Sequence, residues 1–316
     1  MNYIILDLEW NQSPTGKINE NKDIPFEIIE IGAVKLNKDK EILGEFHQYI
    51  RPQVYLEMDV NVHAVTHINM EDLQCGKTFP EAFKDFQAWL GDEEIIFCTW
   101  GSMDLVEFQR NMRFYNFPPF ENKPFFFYDV QKLFAIFFEE NQNPRTLCFA
   151  ADFFHITKQG EFHSAISDAR YTAKIFQKFD LKKTKKFMEL NYFSPPKCLE
   201  DEMYVSFKTY AKYISMEFKS KEQLLHAKHV KATNCCICQE AATKKIDWFP
   251  NSTKTNYYGV FYCKEHGYLK GKLRVKKTDD QKFFAVKTIK IISKEAAEKL
   301  QNKKNLLKTK KNNSNN

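Results

Sequence analysis

No stretch of the sequence approaches the roughly 20 consecutive apolar residues that a membrane-spanning helix needs, so no membrane association is expected. The first apolar run, Tyr3-Ile4-Ile5-Leu6, is short and meets acids at once, which argues against a secretory signal and makes the cytoplasm the expected compartment. Cysteine is too thin for a disulfide framework. There are eight thiols in 316 residues, three of them crowded into Asn234-Cys235-Cys236-Ile237-Cys238, a cluster that suits metal ligation better than oxidative bracing. Cys75, Cys98 and Cys148 lie in apolar or mixed segments and read as ordinary core or surface thiols. No internal repeat is visible, which excludes a solenoid.

What is present is a chain with a core to build. At 43% hydrophobic and 15% aromatic residues, it can bury a main domain and a smaller one. The net charge of +6 hides a division: residues 1–180 carry 17 Lys+Arg against 28 Asp+Glu, a net of −11, and residues 181–316 carry 30 against 13, a net of +17. An acidic domain acting on a polyanion needs cations to neutralise its site, and a basic appendage can restore attraction by collecting phosphates.

The run from Tyr3 to Leu6 predicts a buried strand with Asp7 and Glu9, two residues apart, projecting from one face of its polar end. After a polar loop over 11–25, Phe26–Leu36 and Ile42–Ile50 predict two further strands in an antiparallel meander. Phe79, Phe83, Phe86 and Trp89-Leu90 fall at helical spacing. Ile95–Cys98 predicts a fourth strand, followed by a helix marked by Leu105, Phe108, Met112 and Tyr115. Phe125–Phe127 predicts a fifth strand, then come a helix starting near Asp129, another from about Pro144 and a last one from Ser164 through Phe176. A meander that gives way to alternating helices and strands implies an α/β fold, a mixed five-stranded sheet with helices on its faces. The expected divisions are a catalytic domain over 1–180, a linker and helical segment over 181–231, a metal-binding basic domain over 232–296 and a disordered Lys/Asn-rich tail over 297–316.

The chemistry sits in four acids. Asp7 and Glu9 repel each other and call for a cation. Asp104, in Trp100-Gly101-Ser102-Met103-Asp104, falls where the fourth strand hands over to a helix, and Asp168 falls on the last helix. His163 and Asp168 are five residues apart, about 140° around a helix, so His163 belongs to the loop before the helix, from which it can serve as a general base. Such a set supports phosphodiester hydrolysis with two Mg²⁺ or Mn²⁺ ions held by oxygen ligands.

With Ile5-Leu6-Asp7-Leu8-Glu9, Glu27-Ile28-Ile29-Glu30-Ile31-Gly32-Ala33-Val34, Trp100 to Asp104, and His163-Ser164-Ala165-Ile166-Ser167-Asp168-Ala169 in this order, residues 1–180 resemble the DEDDh branch of the DnaQ-like 3′-to-5′ exonucleases, the ribonuclease T exonuclease family. Arg51-Pro52 and Thr66-His67-Ile68 fall where that family has a proline-containing strand end and a Thr-Gly-Ile turn. The resemblance implies an RNase H-like fold, Asp7, Glu9, Asp104 and Asp168 as catalytic metal ligands, and His163 as general base. It further implies release of nucleoside 5′-monophosphates from the 3′ end of single-stranded RNA or DNA. Leu8, Trp10 and His67 become candidate substrate contacts; Trp10 and His67 stand where many members have a small hydroxyl residue and glycine. The alternative is a nucleic-acid-binding adaptor that keeps this fold without cutting.

A second metal is expected downstream. Cys235-x-x-Cys238, then 24 residues, then Cys263-x-x-His266 gives two ligand pairs with the spacing of a structural Zn²⁺ site, with Cys236 as spare or substitute for Cys235. Lys244, Lys245, Trp248, Phe249, Lys254, Tyr257 and Tyr258 lie between the pairs, and Lys270, Lys272, Arg274, Lys276 and Lys277 follow. Cations interleaved with aromatics suit single-stranded nucleic acid. The same segment could equally dock a protein partner.

Overall fold

The computed structural model describes residues 1–139, 143–157, 162–207 and 209–313, in two compact units: Met1–Glu121 with Phe125–Phe193, and Asn122–Pro124 with Ser194–Asn316.

The first unit is built on one mixed sheet of order β3-β2-β1-β4-β5-β6. Its strands are β1 (Asn2–Gln12), β2 (Phe26–Leu36), β3 (Ile42–Tyr49), β4 (Ile95–Thr99), β5 (Phe125–Asp129) and β6 (Glu189–Asn191). The pairs β1/β2, β2/β3 and β5/β6 are antiparallel, and β1/β4 and β4/β5 are parallel. The helices are α1 (Val60–Thr66), α2 (Met70–Gln74), α3 (Phe79–Leu90), α4 (Met103–Phe114), α5 (Val130–Phe138), α6 (Leu147–Phe153), α7 (Ala165–Gln177) and α8 (Leu181–Thr184). Capping boxes start α2 at Asn69 with Asp72 and α3 at Thr78 with Glu81, each satisfying two orphan backbone donors.

Alternation along β1 sorts the core into two layers. Ile4, Leu6 and Leu8 face Phe79, Phe83, Phe86 and Phe108 of α3 and α4. Tyr3 and Ile5 face Phe134, Tyr171 and Phe176 of α5 and α7. Asp7 and Glu9 continue this second side, so the face that is apolar at the start of β1 turns acidic further along it.

Three expectations change here. The strand does not end at the acids: β1 continues to Gln12, and Asp7 and Glu9 are held mid-strand by pairing with Gly32 and Glu30. The sheet has six strands, because Glu189–Asn191 adds beside β5, and the first unit extends to Phe193 instead of 180. Three residues of ladder are too short a run to stand out in a Lys-rich stretch.

The second unit is a six-stranded sheet of order β7-β8-β12-β11-β10-β9, with β7 (Met203–Ser206), β8 (Tyr210–Ile214), β9 (Thr243–Pro250), β10 (Asn256–Cys263), β11 (Gly267–Lys277) and β12 (Phe283–Ile291). Short helices α9 (Lys221–His226) and α10 (Lys228–Lys231) precede β9, and α11 (Lys294–Asn313) closes the chain. The apolar spacing over 204–225 predicts helix, and α9 forms at its end, but its first part forms β7 and β8; four of the five β8 residues are buried, and a short, mostly buried strand has no alternation to reveal it. The segment expected to be disordered from 297 is helical through Asn313, with Ala297, Leu300 and Leu307 packed against Phe249, Val260 and Tyr258. Three apolar residues on one helical face suffice to seat it. Residues 314–316 lie outside the described residues.

Candidate active site and metal centres

The acidic face of β1 meets the N-terminus of α7. Gly32, opposite Asp7 in the β1/β2 ladder, makes this possible: a Cβ there would lie 2.1 Å from the Ala165 carbonyl carbon and 2.2 Å from the Ile166 nitrogen. Helix backbone therefore rests directly on strand backbone, and Asp168, in the first turn of α7, comes over the strand that carries Asp7 and Glu9. An acid in a helix's first turn is also favoured by the helix dipole.

Asp104 arrives from the other side. It stands in the first turn of α4 and is 6% exposed. The parallel pairing of β4 with β1 stops at Ile5, leaving the next part of β1 open on that edge. There the Leu8 backbone N–H donates to the Asp104 carboxylate, as does the Asp104 N–H itself. Leu8, a candidate substrate contact, thus has its side chain in the core and meets the site through its backbone.

The acids raise one another's pKa. Burial, then the charges of Asp104, Asp168, Glu9 and Glu30, hold the Asp7 carboxyl well above the carboxylate range. Glu9 is pushed up to about 8 by burial and then by Glu30, Asp168 and Asp104. Asp104 rises to about 7, mainly through burial and against its backbone donors, with Asp129 and Asp168 adding to the shift. Asp168 rises to about 6 through burial and the charge of Glu30, opposed by the His163 N–H. Crowded carboxylates of this kind either hold protons or hold cations.

His163 stands outside α7, in left-handed backbone with φ 68° and an exposed side chain. Its N–H lies 3.4 Å from Asp168 Oδ2, and a ring nitrogen and carboxylate oxygens of Glu9 and Asp168 lie within 4.8 Å of one another. Among the described residues, Asp168 Oδ1 is buried with no hydrogen-bond partner. Carboxylate donors, one of them with an orphaned buried oxygen, fit hard divalent cations, with the His163 ring nitrogen beside them.

Glu30 is the acid whose part sequence reasoning missed. It is 0% exposed, pairs with Glu9 in register, and accepts at Oε1 from Ser164 Oγ at 3.0 Å, while His47 Nε2 lies 2.8 Å from the same oxygen. Among the described residues its Oε2 has no hydrogen-bond partner. The period of β2 was the available signal, since Glu30 and Gly32 share the face that meets α7.

Of the other candidate contacts, Trp10 follows a bulge between Glu9 and Trp10 and packs against Phe26, with ring centroids 5.7 Å apart. His67 is an exposed αL residue at the C-cap of α1, φ 57°, its N–H on the His63 carbonyl; it takes the conformation for which glycine is ordinarily chosen.

In the second unit, Cys235, Cys238, Cys263 and His266 bring their ligand atoms within 4.8 Å of one another. Cys238 Sγ is 3.6 Å from Cys263 Sγ, and Cys263 Sγ is 3.7 Å from His266 Nδ1, near the edge of about 3.8 Å of a tetrahedron with Zn–S bonds of about 2.3 Å. The His266 backbone N–H, followed by its side chain, helps pull the Cys263 thiol down to about 6, toward the thiolate that binds metal. Of the two adjacent cysteines Cys235 joins this cluster, whereas Cys236 Sγ lies 3.9 Å from the Thr209 carbonyl. Trp248 and Phe249 leave the list of base-stacking candidates. The Trp248 indole occupies a slot opened by Gly259 and Gly271, with its N–H on the Lys231 carbonyl, and Phe249 is core.

Comparison with known proteins agrees with this geometry. The chain is 25% identical over 159 residues to 3′-5′ exoribonuclease 1 of Homo sapiens, covering 47% of this chain and 45% of the relative. It is 27% identical over 197 residues to ERI1 exoribonuclease 2 of Xenopus laevis, covering 54% and 27%. The chain thus spans less than half the length of these relatives. The crystal structure of the nuclease domain of 3′hExo, a DEDDh family member bound to rAMP, superposes with a TM-score of 0.50 at 22% identity over 60% of this chain and 96% of that domain, which shows a shared fold. The exonuclease family model matches residues 4–176, more than half of the chain, and the chain therefore belongs to the ribonuclease T family of DnaQ-like 3′-to-5′ exonucleases.

Proposed function

We propose that the protein is a metal-dependent exonuclease that hydrolyses single-stranded nucleic acid from its 3′ end and releases nucleoside 5′-monophosphates. The observation that carries this reading is that Glu9 and Asp168 stand beside an exposed His163 while the charges of Asp7, Glu9, Asp104 and Asp168 act on one another. The four acids would hold two Mg²⁺ or Mn²⁺ ions, which when bound neutralise the acids, acidify a water and stabilise charge on the phosphoryl oxygens. His163 takes the proton of the attacking water as the new phosphorus–oxygen bond forms and the bond to the departing 3′ oxygen breaks. Trp10 and His67 are the side chains assigned to the terminal nucleotide, and the likeness to exoribonucleases favours RNA as substrate.

Cys235, Cys238, Cys263 and His266 would hold one Zn²⁺, a closed site that braces the second unit. A time course on matched 3′- and 5′-labelled RNA and DNA oligomers with Mg²⁺ or Mn²⁺ tests the reading. Mononucleotides released from the 3′ end are expected, and undiminished activity in Asp7→Ala or Asp168→Ala would overturn it.

A further inference from the structure

The second unit carries a charge pattern that neither metal site uses. Strands β10, β11 and β12 together hold seven Lys or Arg and no Asp or Glu. In β11, Lys270, Lys272, Arg274 and Lys276 alternate with Leu269, Gly271, Leu273 and Val275. The period of two puts the four cations on one face and the small and apolar residues on the other, where Gly271 receives Trp248. Register brings two more groups to the cationic face: Lys290 pairs with Lys270 and Tyr258 with Lys272. The Tyr258 ring centroid lies 5.6 Å from Lys270 Nζ and 4.9 Å from Lys303 Nζ of α11.

Three other cations of this unit have carboxylate partners. Lys197 and Lys282 share Glu217, and Lys244 pairs with Asp247. Among the described residues, no carboxylate comes within ion-pair distance of Lys270, Lys272, Arg274 or Lys276, and Arg274 Nε is buried with no hydrogen-bond partner. Burial, followed by the charge of Arg274, holds Lys272 and Lys276 below the ordinary lysine range. A row of like charges spaced about 6.8 Å apart, two residues along a strand, is unfavourable in the free protein and becomes favourable against a chain with a negative charge on every unit.

We infer that the β11 face binds the sugar-phosphate backbone of a single-stranded nucleic acid laid along the strand, beside α11, which packs on Tyr258 of the neighbouring strand. An acidic peptide would also answer the charges. The unbroken two-residue period, which repeats one positive charge along the strand, favours a chain with a phosphate on every unit. The inference rests on the exonuclease reading only for the choice of polyanion.

The test uses the full chain without Mg²⁺ or Mn²⁺, so that nothing is cut, and follows the anisotropy of labelled single-stranded RNA and DNA oligomers against salt. The combined Lys270→Gln, Lys272→Gln, Arg274→Gln and Lys276→Gln variant should lose about tenfold or more in affinity, with the slope of log K against log salt shallower by about 0.7 per phosphate contact removed. Lys270→Arg with Lys272→Arg should bind like the parent. Should the combined variant fail to fold, each single Gln variant is expected to show its own share of the slope change. Unchanged affinity and slope would overturn the inference, and so would an equal loss on neutralising Lys182, Lys183, Lys185 and Lys186. Cleavage in Mn²⁺ is scored separately. Cutting without this binding pattern sinks the β11 site alone, and the binding pattern without cutting sinks the exonuclease reading alone.

Discussion

Ser164 Oγ donates to Glu30 Oε1 at 3.0 Å, tying the residue after His163 to the middle of β2. The bond spans 134 positions of sequence and fixes the start of α7 over the acids. Hydrogen bonds to a charged group contribute about 1.5–3 kcal/mol. Ser164→Ala should lower stability within that range, measured by denaturant unfolding. Turnover should fall while the Mn²⁺ dependence of the reaction stays near that of the parent.

His163→Ala removes the proton acceptor and leaves the carboxylates. A general base contributes about 10²–10⁴-fold, so kcat should drop by that order while calorimetry still detects Mn²⁺ binding. Asp168→Asn should lose both. Equal loss of metal binding in the two variants would contradict the separation of roles.

The raised carboxyls make the metal-free protein sensitive to pH. Glu9 titrates near 8, Asp104 near 7 and Asp168 near 6 in the fold, against about 4 in an unfolded chain. Between these values the folded state holds protons that the unfolded state has released, so stability falls as pH rises from about 4 toward 8. Unfolding midpoints at several pH values should show this decline without divalent ions and its reversal with saturating Mg²⁺. A flat profile without ions would refute it.

Gly32→Ala places a methyl group into the Ala165–Ile166 backbone. Overpacking typically costs about 1–3 kcal/mol, and here the yielding element is the helix that carries Asp168. The variant should therefore unfold at lower denaturant and lose activity beyond its loss of stability, assayed where it is still folded.

Metal analysis of dialysed protein should find about one Zn per chain. Cys235→Ser should lose it and Cys236→Ser should keep it, because only Cys235 joins the cluster.

The positions of Asp7, Glu9, Asp104 and Asp168 were legible because each is tied to a local pattern: a period-two strand, a strand-helix junction, a helix start. Glu30 was not, and the neighbouring Glu27 shows why. Both are buried acids of β2, yet Glu27 accepts from the backbone N–H groups of Gln53, Val54 and Tyr55 and braces a loop, whereas Glu30 turns to the site. The register shift between Glu9↔Glu30 and Trp10↔Ile28 falls between them, so counting residues along β2 does not tell which of the two acids turns to the site. Which face meets α7 depends on contacts more than a hundred residues away, which no local window contains. The strands β6 and β8 escaped for a related reason, since pairing with distant strands defines them more than their own composition does.

The closeness of α7 to β2 at Gly32 has a wider meaning. The gap between the two elements is set by backbone against backbone, with no side chain between them to be exchanged. The aromatic layers around Phe86 and Phe176 can therefore drift in sequence while the spacing of the carboxylates stays put. The reaction centre is in this sense insulated from its own core, and the single hydrogen atom on Gly32 is the spacer that sets its gauge.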